Sequence, residues 1–297
     1  MKTAFIINPA AGRGKTKKIW PVLRNLLMPE IVFEEHYTTG HGHASRLAGI
    51  LEGNGAEKIV IVGGDGTLHE VINGLKKKEA IIGVIPTGTG NDFCRSIGIP
   101  ADPRSAIRTL SEGRIRKLDL GCVNDSFFIN VSGVGFDAQV AQEINTGIRW
   151  LTGSPAYLAA VLKLIVTYRN IPLRVILDNH TEIHLKSFLL AVGNAQFYGG
   201  GMRIVPSAVP DDGFFHVCAA GNVRKRDVLI TLPKVFSGKH IGHPLVREYT
   251  AKEIEITSEC RTALHADGEI IGHLPAKFSI LHRKLNLLVP DKQKTRA

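Results

Sequence analysis

Two glycine-rich loops, each carrying an aspartate, are the part of this sequence best suited to phosphate chemistry. The apolar run Lys58–Val62 leads directly into GGDGT at residues 63–67, and the run Ala80–Ile85 leads into PTGTGND at residues 86–92. Glycines between a strand and a helix let backbone N–H groups approach oxyanions closely, and the helix dipole favours negative charge there. Either loop alone could be a tight turn with a helix cap. Three glycines around one aspartate nevertheless exceed what a turn needs.

The aspartates inside these loops indicate a metal ion. In a low-dielectric site Asp65 would repel a bound phosphate by on the order of several kcal/mol unless a divalent cation lies between them. Mg²⁺ is usually held through one or two carboxylates, phosphates and several waters. Asp92 lies in the second loop, and Asp119 lies in KLDLG at residues 117–121. Because ligands of an open parallel sheet bind beyond the carboxyl ends of its strands, we expect two or three of these aspartates to converge on one metal–phosphate site.

The loop after the first apolar run is a weaker candidate for nucleotide binding. It reads NPAAGRGKT at residues 8–16 and ends like a P-loop. Pro9 occupies the place of the first P-loop glycine, so the pattern G-x-x-x-x-G-K-[ST] fails. A loop of small residues could still contact a nucleotide or could simply connect two elements, and the sequence leaves both interpretations open.

The elements that must position these loops alternate between strand and helix patterns in the first part of the chain. Short apolar runs predict strands, and apolar residues at helical spacing predict helices. We predict strands at Thr3–Asn8, Ile31–Tyr37, Lys58–Val62 and Ala80–Ile85, and helices at Trp20–Leu27, Ala44–Leu51, Leu68–Leu75 and Ser105–Leu110. This alternation predicts a parallel α/β sheet that is covered by helices on both faces.

Strand pairs and turn signals dominate beyond residues 117–121. We predict hairpins at residues 122–131 and around Asp178-Asn179, strands at Phe214–Cys218, Glu253–Ser258, Glu269–Gly272 and Lys277–Leu281, and helices around Pro155–Tyr168 and Arg226–Phe236. This pattern predicts a second, mainly antiparallel β domain of the sandwich type. We therefore expect an α/β nucleotide-binding domain over residues 1–120 and a β-rich domain over residues 121–285, with the last residues of the chain packing back on the first domain.

Composition narrows the class of partner without choosing it. The 37 Lys and Arg residues outnumber the 27 Asp and Glu residues, a formal net charge of +10 that suits nucleic acid, an anionic membrane or phosphorylated small molecules. The basic residues are scattered and do not interleave with aromatic residues, which disfavours nucleic acid. The 4 cysteines lie far apart with no C-x-x-C pair, so a zinc site or disulfide framework is not expected and a reducing cytosol fits. No apolar stretch approaches the ~20 residues of a membrane span.

Several motifs together resemble the catalytic domain of the diacylglycerol kinase family, which includes bacterial soluble lipid kinases, sphingosine kinases and ceramide kinase. The resemblance runs along nearly the whole chain. It rests on NP with Gly12 at residues 8–12, GGDGT followed by Glu70, Asn73 and Gly74, PTGTGNDF at 86–93, NVSGVGFD at 130–137, GN at 193–194, GGGM at 199–202, Pro206, DDG at 211–213 and ADGE at 266–269. The GGDGT segment alone is not specific, since NAD kinases and phosphofructokinases carry similar loops. The combination is specific, and it implies a Rossmann-like first domain and a lipid-substrate second domain.

The resemblance implies roles for individual residues. Asp65, Asp92 and Asp119 would organise catalytic Mg²⁺, largely through water, and Asp267 and Glu269 are both candidates for the base that deprotonates the lipid hydroxyl. A separate structural metal would be held by the Asp212 side chain with the carbonyls of Val209 and Phe214. The residues implied for ATP binding are Asn8, Pro9, Ala10, Ala11, Gly12, Thr38, Gly63, Gly64, Asp65, Gly66, Thr67, Leu68, His69, Glu70 and Thr89. The active site would then lie in the interdomain cleft, where closure excludes water.

The resulting hypothesis is an ATP- and Mg²⁺-dependent kinase for a lipid alcohol at a membrane surface. Diacylglycerol is the default acceptor, with phosphatidylglycerol or a sphingoid base as other candidates. The alternatives are a kinase for a soluble acceptor such as NAD and a non-catalytic lipid- or nucleotide-binding regulator. We expect a cytoplasmic protein that associates peripherally with a membrane. Anionic phospholipids are candidate partners, a nucleic acid partner is not expected, and the sequence leaves open whether the protein is a homodimer. The stretch from Arg149-Trp150 to Tyr168 could rest on a membrane, although we favour a core helix.

Overall fold

Short runs of buried apolar side chains form the first sheet of the computed structural model, which describes residues 1–27, 32–146 and 155–291. The first elements are β1 (Thr3–Ile7), α1 (Ala11–Leu27), β2 (Phe33–Tyr37), α2 (His43–Gly53), β3 (Lys58–Gly63), α3 (Asp65–Gly74), β4 (Ile81–Pro86), α4 (Asp92–Ile97) and α5 (Pro103–Glu112). The strands pair in parallel in the order β2-β1-β3-β4. All residues of β1 and β3 are buried, as expected of strands that helices cover on both faces.

Strands that pair mostly in antiparallel fashion make up the second part of the chain. Its elements are β5 (Arg114–Val123), β6 (Ser126–Phe128), β7 (Val131–Gly135), α6 (Phe136–Thr146), α7 (Pro155–Thr167), β8 (Ile171–Leu177), β9 (Thr181–Ser187), β10 (Leu189–Gly193), β11 (Phe197–Tyr198), β12 (Met202–Arg203), β13 (Phe215–Ala220), α8 (Lys225–Val235), β14 (Val246–Ala251), β15 (Glu253–Thr257), β16 (Ala263–Ala266), β17 (Glu269–His273) and β18 (Ala276–Val289), with a 3₁₀ turn at Lys239–Gly242. The predicted α/β domain followed by a mainly antiparallel β domain is confirmed. Arg149 and Trp150 lie outside the described residues.

The second part has a sandwich core. One sheet has the order β14-β13-β10-β7-β16-β17. Its inner face, which includes Leu190 and Val217, packs on residues such as Val175, Ile254 and Phe278 from β8, β15 and β18. The other face of the same sheet packs against α7 and α8. A sheet buried on both faces needs apolar residues at successive positions, and all five residues of β10 are buried.

One long strand, β18, joins the two parts. Its first residues pair with β15, its length pairs in antiparallel register with β5, and Leu287 pairs in parallel with Ile82 of β4. The first sheet therefore continues through β18 into β15, β8 and β9. Among the described helices, none combines the length and apolar character needed to cross a bilayer.

Turn chemistry sets several boundaries. Asp178 and Asn179 lie in the three-residue loop between β8 and β9, and both have positive φ angles, 49° and 62°. This predicted hairpin is confirmed. Asp102 caps α5 by accepting a hydrogen bond from the backbone N–H of Ser105 at 2.9 Å, and Pro103 stands at the first helical position.

The Glu52 side chain fixes the chain segment that follows α3. It accepts hydrogen bonds from the backbone N–H groups of Lys76, Lys77 and Lys78 at 2.7, 2.9 and 2.8 Å. Burial raises the pKa of Glu52, but these hydrogen bonds outweigh burial and leave the pKa below its usual value of 4.5. The charged form is therefore favoured in the folded protein.

We predict that Glu52→Gln lowers the free energy of unfolding at pH 7 by about 1–2 kcal/mol, because one carboxamide oxygen replaces two charged acceptors. A lowered folded-state pKa contributes stability that is present above the unfolded value and is lost as pH falls through the folded value. The difference between variant and parent should thus persist at neutral pH and shrink below about pH 4.5. Urea titrations at a series of pH values measure it. Glu57→Gln, at an exposed position in the same domain, should shift stability by less than ~0.5 kcal/mol, and a pH-independent effect of Glu52→Gln would contradict this account.

Candidate active site

A cavity of about 1150 Å³ lies between the loops of the first sheet and the second domain. Residues from both sequence-predicted loops line it. The predicted ATP-site residues that line the cavity are Asn8, Pro9, Ala10, Ala11, Gly12, Thr38, Gly64, Asp65, Gly66, Thr67, Glu70 and Thr89, and Asp92, Asp267 and Glu269 line it as well. Gly63, Leu68 and His69 are absent from the wall, because Gly63 belongs to β3, Leu68 lies in the core and His69 turns towards Asp267.

The N-terminal loop is locked to the two aspartate-bearing loops. A Cβ on Gly12 would come within 2.2 Å of the Thr87 carbonyl oxygen, and Gly12 has φ +61°, so only glycine fits there. The hydroxyls of Thr16 and Thr87 lie 2.6 Å apart, and Asn8 Nδ2 donates a hydrogen bond to Thr67 Oγ1 at 2.9 Å. The loop therefore forms part of the cavity wall together with the other two, and its contact with a nucleotide stays a prediction.

Asp65 ties the first helix of the site to the second. It begins α3, and its carboxylate accepts hydrogen bonds from the backbone N–H groups of Asp92 and Phe93, each at 3.0 Å. The pKa of Asp65 is raised to about 6: burial is the main cause, the negative charges of Asp92 and Asp267 add to the rise, and the two hydrogen bonds oppose it. Asp65 is therefore a buried carboxylate surrounded by other carboxylates.

The Asp92 carboxylate bridges the two domains. Its Oδ2 accepts a hydrogen bond from the backbone N–H of Gly200 at 2.7 Å, and its Oδ1 pairs with the Arg95 guanidinium. Burial raises the pKa of Asp92, against these hydrogen bonds. The glycine-rich loop at residues 199–201 is thus held on the start of α4.

Asp65 and Asp92 fit the ligand set that Mg²⁺ prefers. A Cβ on Gly90 would lie 3.1 Å from Asp65 Oδ2 and 3.4 Å from Asp92 Oδ2, so both oxygens face one small space beside the cavity wall. Two buried carboxylates that repel each other offer a divalent cation charge and oxygen ligands, with water and phosphates completing the shell. The described residues contain no cluster of three or more His, Cys, Asp or Glu side chains that could hold a metal ion.

Asp119 does not join this pair. It is fully buried, and its carboxylate accepts hydrogen bonds from the backbone N–H groups of Gly213 and Arg283, both at 2.7 Å, while His282 Nδ1 lies 2.8 Å from Oδ1. The physical reason is that Asp119 lies in the middle of β5 and not at the carboxyl end of a strand. Two or three aspartates were expected to converge, and the structure brings Asp65 and Asp92 together.

The residues implied for a structural metal lie in a loop away from the cavity. Asp212 Oδ1 accepts a hydrogen bond from the backbone N–H of Phe214 at 2.9 Å, and its Oδ2 lies 2.9 Å from His216 Nε2. Val209 and Phe214 are exposed. Both oxygens of the Asp212 carboxylate are thus engaged within this loop, and the structural metal stays a prediction.

The two candidate bases have different surroundings. Asp267 is buried in the turn between β16 and β17, and its carboxylate accepts hydrogen bonds from the backbone N–H groups of Ile129, Asn130 and Val131 at 3.0, 2.8 and 3.3 Å. His69 Nδ1 lies 3.2 Å from Asp267 Oδ2. Burial lowers the pKa of His69, but Asp267, followed by Glu269 and Glu70, raises it above its usual value overall. Asp267 is therefore an anchor with both oxygens occupied.

Glu269 is the carboxylate that is free to act on a ligand. It begins β17 and is half-buried in the cavity wall, with Oε1 3.8 Å from the place of a Cβ on Gly66. In the described part of the chain, no hydrogen bond or ion pair engages its carboxylate. The sequence left both Asp267 and Glu269 as candidate bases. The structure gives Asp267 three backbone hydrogen bonds, and the choice of base stays a prediction at this point.

The far end of the cavity is apolar, as a lipid pocket in the second domain would be, although no motif gave its shape. Its wall comes from the outer face of the second-domain sheet and from α6, α7 and α8, with Phe136, Val140, Val161, Phe188, Leu189, Cys218, Val228, Leu232 and Val235 among the lining residues. A buried pair, His265 and Asp137, also lines the cavity, with Nε2 and Oδ2 3.2 Å apart. One continuous space therefore joins a phosphate-loop end to an apolar end.

Comparison with known proteins agrees along the whole chain. The family model for the diacylglycerol kinase catalytic domain matches residues 2–123, and the model for the YegS C-terminal NAD kinase beta sandwich-like domain matches residues 130–289. A diacylglycerol kinase of Staphylococcus carnosus (strain TM300) is 31% identical over 299 residues, covering 99% of this chain and 96% of that protein. One of Staphylococcus saprophyticus is 30% identical over 295 residues, covering 98% and 96%.

Solved structures show the same fold. A crystal structure from Bacillus anthracis str. Sterne superposes with a TM-score of 0.82 at 23% identity, covering 98% of this chain and 96% of that chain. A diacylglycerol kinase from the same strain superposes with a TM-score of 0.74 at 20% identity, covering 98% and 97%. The two-domain arrangement is therefore shared along the full length.

We predict that Asp267→Asn lowers the free energy of unfolding by about 2 kcal/mol, because an amide cannot accept all the backbone hydrogen bonds that the charged carboxylate accepts. Glu269→Gln, two residues away, should change it by less than ~0.5 kcal/mol, since no partner is lost. Denaturant unfolding of both variants beside the parent protein tests the contrast. Equal destabilisation by the two substitutions would contradict the assignment of Asp267 as the anchor.

Proposed function

We propose that this chain transfers the γ-phosphate of ATP to the hydroxyl of diacylglycerol in a Mg²⁺-dependent reaction. The proposal starts from its family: the chain belongs to the diacylglycerol kinase family and is therefore a lipid kinase. The observation that carries the proposal is the continuous cavity. It joins three phosphate-type loops at one end to an apolar chamber at the other, and the free Glu269 carboxylate lies in its wall. Diacylglycerol stays the default acceptor among lipid alcohols.

The apolar chamber favours a lipid over a soluble acceptor. Its walls come from side chains such as Val140, Phe188 and Leu232, which offer acyl chains an environment that excludes water. A dinucleotide acceptor such as NAD would need hydrogen-bonding partners for its ribose and phosphate groups there, and burying those groups without partners is costly. The soluble-acceptor alternative therefore lacks support at this end of the cavity.

The polar end would hold ATP. The proposed contacts are Asn8–Gly12, Thr38, Gly64–Thr67, Glu70 and Thr89, which line the cavity near the start of α3. Backbone N–H groups at helix N-termini and glycine-rich turns bind phosphate oxygens, and the helix dipole adds to their effect. Asp65 and Asp92 are the residues that would hold Mg²⁺, which supplies neutralising charge to the phosphates when bound.

Glu269 is the proposed general base. The lipid hydroxyl donates its proton to the Glu269 carboxylate while its oxygen forms a bond to the γ-phosphorus, and the bond from that phosphorus to the β–γ bridging oxygen breaks, releasing ADP. Asp267 positions this base, because its hydrogen bonds to residues 129–131 fix the turn that leads into β17. His69 supports the anchor from α3.

We predict that Glu269→Gln lowers kcat by roughly 10²–10⁴-fold, the usual range for loss of a general base. The KM for ATP should stay within about threefold, because the substitution removes no ground-state contact to the nucleotide. Phosphate transfer from radiolabelled ATP to diacylglycerol in mixed micelles measures both values. Glu259→Gln, an exposed carboxylate of the same domain, is the matched control and should keep full activity. A Glu269→Gln variant with undiminished kcat would remove this residue from the mechanism.

We predict that Asp65→Ala abolishes phosphate transfer, since the variant loses both a metal-binding oxygen and the hydrogen bonds that join α3 to α4. The assay offers diacylglycerol, NAD and a total lipid extract side by side and identifies the labelled product. Labelled phospholipid formed by the parent and not by the variant supports the proposal. Preferential labelling of NAD, or normal turnover by the variant, would overturn it.

A further inference from the structure

The outer faces of α7 and α8 carry large apolar side chains in solvent. Leu162 and Val166 of α7 and Leu229 and Ile230 of α8 are exposed, with Ile230 reaching 65%. The inner faces of both helices are also apolar, because residues such as Val228 pack on the second-domain sheet. A surface helix of a water-soluble domain normally confines apolar residues to its inner stripe. We call the outer faces of α7 and α8 the helical face.

The apolar end of the cavity opens beside the helical face. Phe236 follows α8 directly, lines the cavity and yet is 56% exposed, so it stands at an opening. Ile241 and Leu245, a few residues further along, are exposed as well. A molecule that enters the apolar chamber at this opening would pass between exposed apolar side chains.

Basic residues frame the same surface. Residues 224–239 contain five basic side chains and one acidic side chain, Asp227, which pairs with Arg226 at 3.4 Å. The basic residues are Arg224, Lys225, Arg226, Lys234 and Lys239, all of them exposed. Lys163 and Arg169 add exposed positive charge at and just beyond α7. The basic side chains complement anionic lipid headgroups, and the apolar side chains between them suit the apolar interior of a bilayer.

We propose that the helical face docks on anionic phospholipid bilayers and places the opening at Phe236 against the lipid, so that the substrate enters the cavity directly from the membrane. The entry of substrate rests on the proposed lipid kinase function, whereas the docking itself does not. Apolar side chains such as Ile230 would reach below the headgroups, and the basic residues would contact the phosphates. Docking of this kind is weakened by salt.

Vesicle sedimentation tests the docking without any catalytic step. The parent protein should pellet with vesicles of phosphatidylcholine and phosphatidylglycerol, pellet much less with phosphatidylcholine alone, and be released by high salt. The double variant Leu229→Ser/Ile230→Ser and the double variant Arg226→Glu/Lys234→Glu should each lower the partition coefficient by roughly tenfold or more. None of these four side chains lines the cavity.

A matched control exists on the first domain. Val22 and Leu26 of α1 are exposed to a similar degree, 49% and 53%, and Val22→Ser/Leu26→Ser should bind vesicles like the parent. Test variants that bind like the parent, or a parent that ignores anionic vesicles, would overturn the proposal. So would light scattering that shows a dimer of the parent, a monomer of the test variants and no vesicle binding by either, because the helical face would then be an interface between copies.

Activity on two forms of substrate separates docking from catalysis. The test variants should keep the parent's kcat on a short-chain diacylglycerol dissolved as monomers and lose at least about tenfold in rate on long-chain diacylglycerol within anionic vesicles. Equal loss on both substrates would assign the helical face to the fold and overturn the docking. A parent that binds anionic vesicles but phosphorylates neither lipid would end the proposed function and leave the docking in place.

Discussion

The buried Asp267 carboxylate accepts hydrogen bonds from three consecutive backbone N–H groups, at residues 129–131, and contacts His69 on α3. A buried charge is tolerated only when its hydrogen bonds are complete, and removing one partner is costly. These partners come from the junction ahead of β7 and from the first domain. The satisfied carboxylate therefore requires the two domains to meet in one arrangement, and the same turn places Glu269 in the cavity two residues later. Asp267 therefore positions the turn, and the proposed chemistry falls to its neighbour Glu269.

The polar end depends on a balance of like charges. Asp65 and Asp92 face one space beside Gly90, and each is held by backbone N–H groups of another segment. Without those hydrogen bonds, the repulsion between the two buried carboxylates would destabilise the fold. The hydrogen bond between Asp92 and Gly200 also spans the domains. The Asp92 carboxylate therefore holds the glycine-rich loop at residues 199–201 against the loops of the first domain.

Local patterns in the sequence were enough for the parts of the site that lie at strand ends. The GGDGT and PTGTGND loops follow buried strands, so their meeting followed from the parallel sheet alone. The position of Asp119 could not be predicted in this way. It lies inside β5 and not at a strand end, and its partners Gly213 and Arg283 are distant in sequence. Short elements such as α4 and β10 were not predicted, since a six-residue helix or a five-residue apolar run carries little periodicity. An apolar pocket in the second domain was expected from the family resemblance, but its lining could not be predicted, because it is assembled from single residues of many elements.

The strand β18 has a consequence for how this chain acquires its fold during synthesis. β18 provides hydrogen-bonding partners to β4, β5 and β15, and its Leu287 pairs with Ile82, far back in the sequence. While the ribosome extends the chain, the α/β domain can collapse around its own strands, but β4 keeps an open edge until the last strand emerges. Open edges of this kind recruit foreign strands. The time between the synthesis of β4 and that of β18 is therefore when the nascent chain is most exposed to aggregation, and assistance from a chaperone would be most useful in that interval.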